Sequence, residues 1–310
     1  MVVARSAPTH PRLGPAIRPL TNSGRETLAA LGFLGPGLIA FLAFSLGPAT
    51  YSLFVGFTKW NGLSTPVWVG LQNYVELAGD PLFRTAVRNT AAFTALFVAL
   101  VGITSTGLAV LLNRQAFGTS VVRFLWFLPI VTDMVSVSLV WTWIYHFRFG
   151  VLNFLLGLVG IPPQAWLGDK NLALISLVIL SVWRWTGYYA IIILAGLQGV
   201  PNDLYEAAHI DGANRWQSFT RITLPLISPA IFFVIMIAMM SSFQVFEQMW
   251  VMTRGGPEDA TISIAMFLYV EGFQFLNMGY ASAVAWVLFL IIFALTFLNW
   301  RLRGRWVHEG

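Results

Sequence analysis

The sequence of 310 residues contains no cysteine and has few charged residues. The absence of cysteine excludes disulfides, thiolate metal sites and iron–sulfur clusters within the chain. Charged residues make up 10% of the sequence, whereas a soluble domain carries about 25%. Hydrophobic residues make up 57%, and the mean hydropathy is +0.73. Such a chain would expose too much apolar surface in water, so we expect it to fold in a lipid bilayer.

Lysine and histidine are also scarce. Lys59 and Lys170 both lie outside any Gly-x-x-x-x-Gly-Lys-Ser/Thr segment, so the chain has no P-loop with which to bind ATP. The histidines fall in predicted tails or loops, and they are His10, His146, His209 and His308. There is no His-Glu-x-x-His zinc motif and no indication of a serine–histidine pair. We therefore expect no catalytic residue, no metal and no cofactor, and a membrane-embedded enzyme is disfavoured.

Six apolar segments are long enough to cross a bilayer as helices, which takes about 20 residues each. They are 28–57, 87–112, 124–145, 172–197, 227–249 and 281–302. The sequence thus predicts an all-α membrane protein with six transmembrane helices in one domain, 28–306. Within the first segment, Gly35-Pro36-Gly37 and Gly47-Pro48 predict a kink or an early break.

The basic residues predict the orientation of these spans. One set of connecting segments holds Arg5, Arg12, Arg18, Arg25, Arg114, Arg123, Arg215, Arg221, Arg301, Arg303 and Arg305. The opposite set holds Lys59, Arg84, Arg88, Arg148, Lys170 and Arg254. The side richer in arginine is expected to face the cytoplasm. Residues 1–27 are then a disordered cytoplasmic tail, 307–310 a second cytoplasmic tail, and 201–225 a cytoplasmic loop. Topology also explains the pI near 9.8 better than nucleic-acid binding does.

The loop 201–225 carries signals for two short helices. Asp203 and Glu206 fit a capping box, and Gly212 is suited to the left-handed residue that ends a helix. Asn214 and Gln217 fit a second cap, and Pro225 is expected to stop that helix.

The side chains of this loop favour recognition of another molecule. Trp216, Phe219 and Ile222 recur at helical spacing and are expected to pack against the ends of the membrane helices. Ala207 and Ala208 are small enough to let another backbone approach the first helix, as in helix-in-groove recognition. A helix lying in the lipid headgroup region is the alternative.

The same loop resembles the Glu-Ala-Ala loop of the membrane subunits of bacterial ATP-binding-cassette importers. The residues that carry this resemblance are Tyr205, Glu206, Ala207, Ala208, Asp211, Gly212, Ala213, Leu224 and Pro225. From about residue 30 onward the chain is similar to carbohydrate-uptake permeases of the maltose or glycerol-3-phosphate type. Matching passages are Trp60-Asn61, Val69 to Tyr74, Phe127-Leu128-Pro129, Trp141 to Phe147, Gly150 to Asn153, Trp183 to Tyr188, Ala195 to Gln198, Thr253 to Pro257 and Met278 to Ala281.

This resemblance implies a type I importer permease fold in a bacterial inner membrane. It also implies that the Glu-Ala-Ala loop, with its residues from Tyr205 to Pro225 named above, forms a coupling helix. It also implies specific partners: a second permease subunit of the same family, two copies of an ATPase and an extracytoplasmic solute-binding protein. The solute would be a sugar, a related polyol or a sugar phosphate.

Apart from Arg88 and Arg301 at the ends of their spans, three charged residues fall within predicted spans, namely Asp133, Arg184 and Glu247. A charge at the bilayer centre costs about 2.5–3.5 kcal/mol on insertion scales, so each must face protein or water. Asp133 and Arg184 either pair across the bundle, or the acidic residues bind sugar hydroxyls. The candidate residues for a solute path are Asp133, Trp141, Trp183, Tyr188, Phe243, Gln244, Glu247 and Asn277. A path between the third, fourth and fifth spans is expected, although the aromatic members also fit simple packing.

An ion-coupled secondary transporter that works alone is the main alternative. It would show inverted repeats and several acidic or histidine residues at mid-membrane. The sequence offers few such residues and no visible repeat.

Overall fold

The computed structural model describes residues 23–113 and 118–305. Residues 1–22 of the predicted first tail, the predicted second tail 307–310, and Arg114 between the second and third predicted spans lie outside these ranges. Helix begins at Ser23, inside the stretch 1–27 that the sequence predicts as a disordered tail. The chain divides into two compact units, one ending at Tyr51 and the other beginning at Ser52.

The described residues are mainly helical. The helices are α1 (Ser23–Phe41), α2 (Gly47–Val55), α3 (Gln72–Gly79), α4 (Pro81–Leu112), α5 (Thr119–Val131), α6 (Met134–Ile144), α7 (Val151–Leu158), α8 (Ala173–Gln198), α9 (Asn202–Ile210), α10 (Arg215–Ser218), α11 (Leu224–Leu226), α12 (Ser228–Phe243), α13 (Glu247–Met252), α14 (Ile264–Tyr269) and α15 (Met278–Leu302). Three π-helical turns, Leu42–Leu46, Phe219–Thr223 and Val270–Gln274, and a 3₁₀ turn, Arg303–Arg305, join some of them. Strands β1 (Thr58–Lys59) and β2 (Val67–Trp68) form an antiparallel hairpin, with Thr58 opposite Trp68 and Lys59 opposite Val67.

Within the described ranges, four helical segments are long and apolar enough to cross a membrane. They are Ala29–Val55, Pro81–Leu112, Ala173–Gln198 and Met278–Leu302. Two further helix pairs meet the same criterion only together, because each is bent at a short break. If each bent pair is one span, the count is six. The predicted all-α membrane fold is confirmed, and two of its six spans are broken.

The first span stays continuous where the sequence predicts a kink or break. Its helix passes Pro36 and then widens into the π turn Leu42–Leu46 just before Pro48. The Gly47 N–H donates to Leu42 O, five residues back. A proline removes one backbone donor and crowds the carbonyl of the preceding turn, and a wider turn relieves that crowding.

The third predicted span is broken between α5 and α6, which are bent by 102°. The break lies at Thr132 and Asp133. The carboxylate of Asp133 accepts from the backbone N–H groups of Val135 (3.0 Å) and Ser136 (3.1 Å). These two bonds cap a new helix, so the apolar run of 124–145 contains two helices rather than one.

The fifth predicted span begins after a bend of 65°. Pro225 does not stop the preceding helix, contrary to the prediction. It lies in the first turn of α11, where a missing N–H is tolerated, and the π turn Phe219–Thr223 precedes it. The helix instead ends near Ile227, and α12 starts at the next residue.

The core of the second unit lies around α8. This helix packs against α4 along one side and against α5 along another. Phe93, Leu177, Leu180, Tyr189 and Ile193 are fully buried there. Gly187 permits the contact with α5, because a methyl group at this position would overlap the carbonyl oxygen of Trp126.

Candidate functional site

The loop between α8 and α12 places a short helix, α9, outside the apolar spans. α9 ends in a Schellman motif: the Ala213 N–H donates to Ala208 O (2.8 Å), and the Gly212 N–H donates to His209 O (3.1 Å). Gly212 has φ +77°, so the predicted left-handed helix end is confirmed. Glycine adopts this conformation without the strain that a side chain would add.

The predicted capping box at the start of α9 is wrong. The helix begins at Asn202, with Pro201 in the N-cap position and no side-chain cap. Asp203 therefore lies inside the first turn, where its charge complements the helix dipole. Glu206 is exposed.

The predicted cap of the next helix is confirmed. The Gln217 N–H donates to Asn214 Oδ1 (2.9 Å), and the Asn214 N–H donates to Gln217 Oε1 (2.8 Å). A hydrogen bond of 3.0 Å between the Tyr205 and Thr223 hydroxyls then ties α9 to the π turn that follows α10. Together these bonds fix α9 relative to the chain that leads into α12.

Large apolar side chains of this loop are exposed. Ile210 is 85% exposed and Trp216 is 71% exposed. The predicted packing of Trp216 on the membrane helices is therefore wrong, and this indole contacts Phe219, whose ring centroid lies 5.8 Å away. Ala207 is exposed and Ala208 is half-buried on the same helix. The loop thus presents an apolar surface on a rigid support.

A second candidate region is a cavity of about 290 Å³ within the helical bundle. Residues of α4, α6, α8, α12 and α13 line it. Its polar lining residues are Ser181, Arg184, Ser241, Ser242, Gln244, Glu247 and Gln248. Gln244 and Glu247 are among the predicted path residues, whereas Ser181 and Gln248 were missed. Their signal was a polar residue within an apolar span, and Gln248 Nε2 donates to Ser181 Oγ (3.2 Å).

The predicted aromatic path residues lie outside this cavity. Trp141 and Trp183 pack against each other with ring centroids 5.4 Å apart. Tyr188 packs edge-on against Trp185, and Phe243 is buried in the core. Their placement matches the packing alternative.

Asp133 and Arg184 do not form an ion pair, contrary to the first hypothesis for them. Asp133 caps α6, as described above. Arg184 is 8% exposed, and its guanidinium donates to Thr132 O at 2.6 Å and Pro129 O at 3.4 Å. These carbonyls close α5, and a cation is favourable at a helix C-terminus. Arg184 therefore secures the broken span and also lines the cavity.

Asn277 lies elsewhere. It precedes α15 and donates from Nδ2 to Glu271 Oε2 (2.9 Å), at the end of α15 that contacts the β1–β2 hairpin through the Gly279 N–H and Trp60 O. It lines a different cavity from Gln244.

In the described ranges, no three His, Asp or Glu side chains are grouped to hold a metal ion.

Known proteins resemble the chain over most of its length. Residues 115–306 match the family described as binding-protein-dependent transport system inner membrane component. YesP of Bacillus subtilis (strain 168), named a probable ABC transporter permease protein, is 37% identical over 92% of this chain and 93% of its own. NgcF of Streptomyces coelicolor, named a diacetylchitobiose uptake system permease protein, is 36% identical over 88% of this chain and 82% of its own.

A solved structure shares the fold. It is a chain of a bacterial alginate ABC transporter in complex with an alginate pentasaccharide-bound periplasmic protein. The match has a TM-score of 0.81 and covers 94% of this chain and 99% of that chain, at 23% identity. The type I permease fold expected from the resemblance is thus confirmed.

A chain in this family is a permease subunit, and the sequence expectation of a permease rather than an enzyme or a stand-alone ion-coupled transporter is confirmed. Such subunits work with a partner permease, an ATPase and a binding protein. The protein belongs to the inner membrane components of binding-protein-dependent transport systems and is a multi-pass permease of an ABC importer.

Proposed function

We propose that this permease carries a sugar, or a closely related polyol or sugar phosphate, into a bacterial cell. It would form the path together with a second permease subunit of the same family, above two ATPase copies and below an extracytoplasmic binding protein. Both termini and the loop 201–225 would face the cytoplasm, as the arginine distribution predicts.

Two of the similar proteins support a saccharide as the solute. NgcF is named for diacetylchitobiose uptake, and the alginate transporter was solved with a saccharide-bound partner. The cavity in the bundle is compatible with hydroxyl recognition, because serine, glutamine and glutamate side chains line it. We propose Gln244 and Glu247 as its solute-contacting residues and Arg184 as the group that holds its wall.

We propose α9 as the coupling helix that docks on the ATPase. The observation that carries this proposal is the exposed apolar surface of a rigidly supported helix outside the spans, with Ile210 at 85% exposure. Exposed aliphatic and aromatic side chains are typical anchors of a helix in a groove. The residues proposed to form the docking surface and its support are Tyr205, Glu206, Ala207, Ala208, Asp211, Gly212, Ala213, Leu224 and Pro225.

A continuous stretch of chain connects α9 to the cavity. Tyr205 ties α9 to Thr223 in the π turn, which continues through α11 and the 65° bend into α12. Ser241 and Gln244, at the far end of α12, line the cavity. A displacement of α9 by the ATPase would therefore also move the cavity wall at the other end of α12. This movement would change which membrane face the cavity opens to.

The test is ATP-dependent sugar uptake by the reconstituted importer carrying Ile210→Glu, with Leu63→Glu as the matched control. Leu63 is 86% exposed in the β1–β2 hairpin. A buried charge without a partner disfavours docking, so Ile210→Glu should abolish uptake and ATPase stimulation while Leu63→Glu retains both. Full uptake by Ile210→Glu would reject α9 as the coupling element.

A further inference from the structure

A second polar cavity, of about 600 Å³, lies where the β1–β2 hairpin, α3, the start of α4 and the start of α15 meet. These elements are held together closely. The Gly279 N–H donates to Trp60 O (3.2 Å), and a methyl group on Gly279 would overlap the carbonyl oxygen of Thr58. The volume falls within the range of about 300–1,000 Å³ typical of small-molecule sites. The solute path proposed above, through the cavity of the bundle, does not use this second cavity.

Three carboxylates line the cavity, and each is oriented by a neighbouring donor. Tyr280 Oη donates to Asp80 Oδ2 (2.9 Å), and Asn277 Nδ2 donates to Glu271 Oε2 (2.9 Å). Gln72 Nε2 donates to Glu76 Oε1 (2.8 Å). Asp80 also caps α4, because its Oδ1 accepts from the backbone N–H groups of Leu82 (2.8 Å) and Phe83 (3.2 Å). A carboxylate offers about four acceptor positions, so all three groups keep some acceptor capacity toward the cavity.

Asn73 adds an acceptor to this wall. It is 7% exposed, and its Nδ2 donates to Gly56 O and Thr58 O, each at 2.9 Å. These two bonds fix which end of the amide is the donor. Its Oδ1 has no hydrogen-bond partner within the described ranges, and the residue lines the cavity. This oxygen is not fully buried, and the residue lines the cavity, so the oxygen can accept a donor from a ligand.

The chemistry of the lining selects a class of ligand. Acceptor oxygens predominate, and an indole, Trp60, completes the wall with its Nε1 fixed on Ser64 O (2.6 Å). Sugar hydroxyls supply donors for the oxygens, and the apolar face of a sugar ring suits an aromatic neighbour. Three carboxylates face one ammonium, that of Lys59, so anionic ligands are repelled. The carboxylates are not grouped as metal ligands in the described part of the chain.

We infer that this cavity is a binding subsite for an uncharged saccharide, located on the permease itself and outside the bilayer core. The inference rests on the proposed sugar class of the solute, but binding at this cavity can be measured separately from transport. A sugar there would bridge the hairpin and α3 to the first turn of α15. The subsite would reject saccharides that carry carboxylates.

The experiment uses the absence of native cysteine. Val69→Cys introduces a single thiol at an apolar position of the cavity wall, and Asn171→Cys introduces one at an exposed position near the Lys170–Glu258 ion pair. The assembled importer, without its binding protein, is treated with a small maleimide in the presence of maltose, cellobiose or raffinose, and separately digalacturonate. At ten times its dissociation constant, a bound sugar should slow labelling of the Val69→Cys variant about tenfold. Labelling of the Asn171→Cys variant should be unaffected, and digalacturonate should protect neither variant.

A second change tests the carboxylates. Glu271→Gln combined with Val69→Cys should weaken protection by the neutral sugar, whereas Glu258→Gln, which alters an exposed carboxylate outside the cavity, should not. Labelling at position 69 that no neutral sugar slows, or equal slowing at position 171, overturns the inference. Sugar uptake measured on the same importer separates the two proposals. Uptake without protection rejects only the subsite, and protection without uptake counts against the transport proposal.

Discussion

The guanidinium of Arg184 on α8 donates to the carbonyl oxygen of Thr132, 2.6 Å away, at the break between α5 and α6. This bond joins a continuous span to a broken one beside the polar cavity. It also satisfies a carbonyl group that would otherwise lack a partner in the bundle. Arg184 is therefore placed to hold the bent third span in position.

Replacing Arg184 by Met should destabilise the protein. A hydrogen bond from a charged group contributes about 1.5–3 kcal/mol, so we expect a clearly lower Tm of the detergent-solubilised importer. Arg148→Met is the matched control, because Arg148 is exposed. An unchanged Tm for Arg184→Met would show that the α5 carbonyls do not need this cation.

Gly187→Ala should separate α5 from α8. The added methyl group would overlap the Trp126 carbonyl oxygen, which belongs to the backbone of α5, so one of the two helices would have to move. Overpacking of this kind costs about 1–3 kcal/mol. Gly107→Ala on α4, where a methyl group meets nothing, is the control and should be neutral or slightly stabilising. Thermal unfolding measured by tryptophan fluorescence distinguishes them, and equal stability of both variants would contradict the packing described.

Gly212→Ala should impair coupling while leaving the membrane helices intact. A side chain in the left-handed conformation costs about 1–2 kcal/mol, so the end of α9 would shift or fray. We expect weaker co-purification of the ATPase and lower stimulated hydrolysis. Gly79→Ala at the end of α3 is a suitable control, because its methyl group meets no atom and its φ is ordinary. Wild-type hydrolysis by Gly212→Ala would mean that the helix end is not needed for docking.

Tyr205→Phe removes the hydroxyl that ties α9 to Thr223. We expect insertion and assembly to persist and the ratio of sugar transported to ATP hydrolysed to fall. Thr223→Val removes the same bond and also the longer one from the Thr223 hydroxyl to Ser218 O (3.4 Å). The double variant should therefore be no worse than Thr223→Val alone. Fully additive losses would show that the two hydroxyls act separately.

Gln244→Ala and Asp133→Asn distinguish a polar residue that lines the cavity from one that caps a helix. Gln244 lines the cavity, so losing its side chain should reduce uptake by about fivefold, as for one net hydrogen bond. Asp133 caps α6 through two backbone bonds, and asparagine is an equally good N-cap, so Asp133→Asn should transport normally. Wild-type uptake by both variants would reject the placement of the path.

The sequence predicts this fold well where the signal is local or periodic. Apolar length located the spans, and the Gly212 helix end and the Asn214–Gln217 cap follow from residue chemistry alone. The break at Asp133 was missed because two polar residues do not interrupt hydrophobicity averaged over a whole span. The N-cap at Asp203 was placed too far along because Pro201 fixes an earlier start.

The sites themselves depend on contacts between distant parts of the chain. Tyr280 and Asp80 are 200 positions apart in sequence and share a hydrogen bond. The aromatic residues assigned to the solute path are instead used in packing, since periodicity does not tell which neighbour fills the space beside a ring. Sequence alone therefore located the helix α9 that we propose for coupling, whereas the walls of both cavities required the packed structure.

Crosslinking from α9 tests the central claim most directly. A photoreactive benzoylphenylalanine placed at Ile210 should form a covalent adduct with the ATPase subunit in the assembled importer, and the same group at Leu63 should form none. An importer that assembles and hydrolyses ATP, yet gives no ATPase adduct from position 210 or gives one from position 63, would contradict the account.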